Sequence, residues 1–130
     1  MEFKKILESV ATFHDAFGIV NNAEPTVNLG EADILLRYNL MKEENQEYLE
    51  AAKNGDLIEI ADALGDQLYI LCGTILRHGL QDKIEEVFEE IQRSNMSKLD
   101  EDGKPIYRED GKVLKSQLYF KPDIQKILQK

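Results

Sequence analysis

The feature that most narrows the fold is a break, Asn54-Gly55-Asp56, set between two long stretches of helical periodicity. Upstream, from Glu31 to Lys53, the residues Ile34, Leu35, Tyr38, Met41, Tyr48, Leu49 and Ala52 form a stripe expected to be buried along an amphipathic helix. Downstream, Asp56 and Glu59 have capping-box spacing and open another helix that runs to His78 and stops at Gly79. Gly55 tolerates the left-handed backbone past a helix end. So short a connection makes the two helices antiparallel neighbours. The downstream helix is apolar over much of its surface (Leu57, Ile58, Leu64, Leu68, Leu71, Leu76) and is expected to be central and most buried.

The rest of the chain adds shorter elements. Phe3, Ile6, Leu7, Val10, Phe13 and Phe17 predict a first helix over Glu2 to Phe17, ended by Gly18. Asn21 to Gly30 reads as a loop. Asp82 and Glu85, again at capping spacing, predict a fourth helix to Ser94, with Ile84, Val87, Phe88 and Ile91 on its face. Asp100 to Phe120 is polar, with a small hairpin expected over Pro105 to Leu114 around Asp110-Gly111. Pro122 opens a last short helix, Asp123 to Leu128. The expectation is one all-α domain over residues 1–130: four or five helices in a bundle with a polar C-terminal hairpin-like segment.

The 130 residues carry 16 Lys+Arg against 25 Asp+Glu, a formal charge of −9, which argues against a nucleic-acid or anionic-membrane partner. A lone cysteine, Cys72, fits a reducing compartment and a buried packing role. No apolar run is long enough to span a membrane and no signal-peptide core follows the N-terminus, so a cytoplasmic location is expected. His14 and His78 read as structural, and Phe13, Phe17 and Tyr69 as core.

Much of the negative charge falls on the two helices flanking the break. Glu44, Glu47 and Glu50 follow at three-residue spacing on one, with Glu43 beside them. Glu59, Asp62 and Asp66 share a face of the other. Residues equally far from the turn lie at equal height. Glu47 meets Asp62 roughly 11 Å from it, and Glu44 meets Asp66 roughly 16 Å out, at 1.5 Å per residue. Four carboxylates on facing apolar helices repel one another, and a divalent cation removes the conflict. All-oxygen ligation suits Mg²⁺, with Mn²⁺ as substitute, rather than zinc. Gly65, mid-helix, would allow a close approach by a neighbouring helix or a ligand.

At these residues the sequence resembles the all-α nucleotide pyrophosphohydrolase superfamily, the MazG-like and phosphoribosyl-ATP pyrophosphohydrolase-like proteins. The resemblance lies in Leu40 to Glu47, Glu59 to Tyr69, Phe13 to Gly18, Ser94 to Lys98 and Glu109 to Lys115. The EExxE element is intact as Glu43, Glu44 and Glu47, whereas the Glu expected three residues before Asp66 is Ala63. Either Glu59 or Asp62 fills that place. The resemblance implies a MazG-like bundle that hydrolyses a nucleoside triphosphate between its α- and β-phosphorus in nucleotide-pool housekeeping. Glu44, Glu47, Asp66 and Asp62 or Glu59 would hold Mg²⁺, and Glu43 or another carboxylate of the cluster would act as base. Asn95 and Lys98 match a part of the family that contacts substrate, and Lys112, Lys115 and Arg37 are further phosphate candidates. A homodimer or dimer of dimers is also implied. The alternatives are a phosphoribosyl-ATP pyrophosphohydrolase and a catalytically weak helical scaffold that keeps the fold.

Overall fold

The computed structural model describes residues 1–130 and is mostly helical: five helices and one two-stranded sheet. The all-α expectation holds, and the chain divides into two compact units, Met1–Gln81 and Asp82–Lys130.

The first unit holds α1 (Phe3–Ala16), α2 (Glu31–Lys53) and α3 (Leu57–Arg77). Asn54-Gly55 turns the chain between α2 and α3, Gly55 with φ +65°, and Asp56 caps α3 by accepting from the Glu59 backbone N–H at 3.1 Å. The segment between α1 and α2 is laced onto the C-terminal end of α3. Arg77 donates to Val20 O at 2.8 Å and to Asp33 Oδ2 at 2.8 Å, and Thr26 N donates to His78 O at 2.9 Å. Gly79, at φ +66°, lets this segment pass, since a Cβ there would lie 2.0 Å from Glu24 O.

Two burial expectations are corrected. The apolar stripe of α2 is not covered within the chain: Ile34, Leu35, Tyr38, Tyr48 and Leu49 are exposed, and the residues buried are Arg37 and Ala51. The helix α3 is buried only in part. Ala63, Cys72, Ile75 and Leu76 are buried, whereas Leu57 is 76% exposed, Ile58 80% and Leu64 48%. Within the first unit, three helices leave apolar residues of the α2–α3 hairpin exposed.

The second unit holds α4 (Ile84–Met96), β1 (Ile106–Tyr107), β2 (Val113–Leu114) and α5 (Ile124–Leu128). The expected hairpin forms, with Ile106 opposite Leu114 and Tyr107 opposite Val113, and Gly111 takes φ +87° in its turn. Asp123 caps α5, accepting from Lys126 N at 3.2 Å. Asp82 does not cap α4. The helix begins two residues later, after Lys83, which makes no side-chain cap. Ser94 donates to Phe120 O at 2.8 Å and Ser116 to Leu99 O at 2.7 Å, which fixes the polar segment against the end of α4.

Candidate metal centre

The α2–α3 hairpin brings acidic groups together midway along its length. Carboxylate oxygens of Glu44, Glu47 and Asp66 all lie within 4.8 Å of one another. Glu44 and Glu47 stand one turn apart on α2, and the antiparallel pairing set by Gly55 carries Asp66 to their level. Next to the cluster the helices are bridged by neutral amides, Gln67 Nε2 donating to Asn45 Oδ1 at 3.1 Å.

Glu44 is the strained member. Its Oε2 is buried and has no hydrogen-bond partner. Burial, a hydrogen bond that its protonated form makes to Glu47, and the charges of Glu47, Asp66 and Asp62 together push its carboxyl up to about 7. Three convergent carboxylates, one with an orphaned buried oxygen, are a donor set that fits a hard divalent cation.

The remaining candidates are placed differently. Asp62 is exposed and acts on Glu44 through its charge, without joining the group of three. Glu59 is exposed at the start of α3, where its backbone N–H serves the helix cap. Glu43 is exposed beside Glu44 on α2. Arg37 is buried, at 7% exposure, and its guanidinium is committed to α3. Asn95, Lys98, Lys112 and Lys115 belong to the second unit, where Lys98 N donates to Asn95 O at 3.1 Å and the Lys115 ammonium sits 4.6 Å over the Tyr119 ring. Gly65 meets nothing, since a Cβ there would find no atom within 4 Å.

Sequence reasoning missed the polar lock on α1. His14 is 2% exposed, and its Nδ1 pairs with Asn21 Oδ1 at 2.8 Å. Asn21 in turn donates to Ala11 O at 3.2 Å and to Asp15 at 3.0 Å. Burial lowers the His14 imidazole below its ordinary range. The aromatic residues are less buried than expected: Phe13 stands edge-on to Tyr69 at 5.6 Å, and both are partly exposed, as is Phe17. Tyr69 follows Asp66 by one helical turn.

A family model described as phosphoribosyl-ATP pyrophosphohydrolase matches residues 10–95. The chain belongs to this pyrophosphohydrolase family. Within the matched span lie the second half of α1, all of α2 and α3, and the acidic cluster. Phosphoribosyl-ATP pyrophosphohydrolase-like membership thus agrees with the fold and with the acidic site. The search of curated proteins returns no match. No helix is long and apolar enough to cross a membrane.

Proposed function

We propose that the chain is a cytoplasmic, Mg²⁺-dependent hydrolase that cleaves a nucleoside triphosphate between the α- and β-phosphorus, releasing the monophosphate and pyrophosphate. The observation that carries this reading is the meeting of Glu44, Glu47 and Asp66 around the unpartnered oxygen of Glu44, in a chain of pyrophosphohydrolase family. These three, with Asp62 or Glu59, would hold Mg²⁺, which when bound neutralises phosphate charge and acidifies water. Glu43, exposed next to the cluster, takes the proton of the water that attacks the α-phosphorus as pyrophosphate leaves. Asn95, Lys98, Lys112 and Lys115, all in the second unit, stay candidates for phosphate contacts on the strength of the family resemblance alone. The aromatic edge of Phe13 and Tyr69, one turn from Asp66, offers a surface for a base.

A second copy of the chain would cover the apolar residues left open on α2 and α3, in a homodimer or a dimer of dimers. A second substrate reading, phosphoribosyl-ATP, is favoured by the family match itself and uses the same bond. The deciding experiment is pyrophosphate release from a panel of nucleoside and deoxynucleoside triphosphates and phosphoribosyl-ATP, with and without Mg²⁺. Release that needs Mg²⁺ and is lost in Glu47→Ala is expected. No release from any substrate by folded protein overturns the enzyme reading, and full activity in Glu47→Ala overturns the site.

A further inference from the structure

We infer that Arg37 is a positioning residue: its buried guanidinium sets the register of α2 on α3 and thereby holds Glu44 and Glu47 against Asp66. Its Nε donates to Thr74 Oγ1 at 3.0 Å and its Nη2 to Ile70 O at 2.9 Å. Thr74 Oγ1 itself donates to the same Ile70 carbonyl at 2.9 Å, so its hydrogen is turned away and its lone pair faces Arg37. Two neighbouring donors of one planar group, on two acceptor oxygens that are themselves hydrogen-bonded at 2.9 Å, tie α2 to one point of α3 and resist sliding of the helices.

The place for this group is made by a missing side chain. A Cβ at Gly73 would lie 2.5 Å from Arg37 Nη2 and 2.9 Å from His14 Nε2. Residues of α1, α2 and α3 therefore meet at one glycine, and His14 is itself held by Asn21. Arg37 precedes Glu44 by seven residues, or about 10 Å of helix, and Ile70 follows Asp66 by four, about 6 Å. The clamp thus lies within two turns of carboxylates whose repulsion drives these helices apart. Arg37 forms no ion pair, and both of its acceptors are neutral. It fixes geometry without drawing a carboxylate away from the cluster. Burying a cation on such terms is costly, and lysine, with one rotatable ammonium, cannot reproduce the fork.

The inference rests on the metal reading for one of its two readouts only. Mn²⁺ binding, followed by the paramagnetic resonance of the free ion, reports the cluster. Nuclear Overhauser contacts between the Asn45 and Gln67 side chains report register without any metal. Arg37→Met is expected to keep cooperative unfolding, to lose those contacts, and to bind Mn²⁺ at least tenfold more weakly, with Arg37→Lys recovering only part. Ile75→Val, a core change on the same helix that touches neither donor, lowers stability and is expected to leave both readouts alone. Arg37→Met that keeps the contacts and binds Mn²⁺ within twofold of the parent overturns the inference. Should Arg37→Met fail to fold, Thr74→Val, which removes the Nε acceptor and leaves the Ile70 carbonyl to Nη2, decides by the same two readouts. Should the parent bind no Mn²⁺, the metal reading fails, and the Asn45–Gln67 contacts alone decide the role of Arg37.

Discussion

Removing the charge of Glu44 should make the metal-free chain more stable at alkaline pH, and the size of the effect follows from its surroundings. The carboxyl titrates near 7 in the folded chain, against an ordinary 4.5, chiefly because it is buried, and further because Glu47, Asp66 and Asp62 crowd it. A folded-state value above the unfolded one contributes stability that is whole below about pH 4.5 and is lost as pH rises through 7. The shift corresponds to about 3 kcal/mol at most, reduced by whatever solvent reaches this partly exposed group. Glu44→Gln should therefore match the parent near pH 4 and exceed it by one to a few kcal/mol (on the order of 1–3) at pH 8. The assay is urea unfolding in chelator at both pH values, since the difference between the two proteins cancels titration of His14 and other groups. Mn²⁺ must displace the same proton. Ionised Glu44 rises from about one tenth to about nine tenths between pH 6 and pH 8, so Mn²⁺ affinity should rise about tenfold over that range. If Glu44→Gln and the parent show the same stability at pH 8 without metal, the crowding of Glu44 is not an energetic fact and the reasoning fails.

Asp66→Asn should weaken Mn²⁺ binding by tenfold or more and move the pH dependence of what remains to lower pH, because one charge pressing on Glu44 is gone; calorimetric titration at two pH values checks both. Gly79→Ala should destabilise by about 2 kcal/mol or more in thermal unfolding, since its Cβ would strike the Glu24 carbonyl and its backbone is left-handed. Gly65→Ala separates monomer from oligomer: with no neighbour within 4 Å it should stabilise the isolated chain by about 0.5–1 kcal/mol, whereas destabilisation would mean that a second copy packs there. Leu64→Lys together with Leu68→Lys should shift the sedimentation coefficient to that of a monomer, and a chain that sediments as a monomer without them would refute the dimer.

The hairpin and its acid cluster are legible in the sequence because they depend on local spacing. Equal heights about Asn54-Gly55 put Glu44 level with Asp66, and the structure brings these two together with Glu47. The same arithmetic counts height but not rotation about the helix axis, so Asp62, at the right level, stands apart from the three. Arg37 reads as a phosphate ligand in the sequence because nothing near it signals burial. Such a cation becomes intelligible only with Gly73 and Thr74, 36 and 37 residues downstream, in view. Apolar periodicity marks Leu57, Ile58 and Leu64 as interior, but periodicity registers that a face is to be covered, not whether the same chain covers it. Asp82 fails as a cap because the chain makes one further turn before α4 starts.

The turn at Gly55 also bears on the order of assembly. All three carboxylates of the cluster fall within the 23 residues from Glu44 to Asp66, joined by one tight turn. Helices and short loops form in microseconds or less. The ligand set can therefore come together as a helical hairpin while the more distant ties that steady it, Arg77 to Val20 and Arg77 to Asp33, are still unmade. A divalent cation captured at that moment would close the hairpin against its own repulsion, and would then be a nucleus for folding as well as the participant in chemistry proposed above.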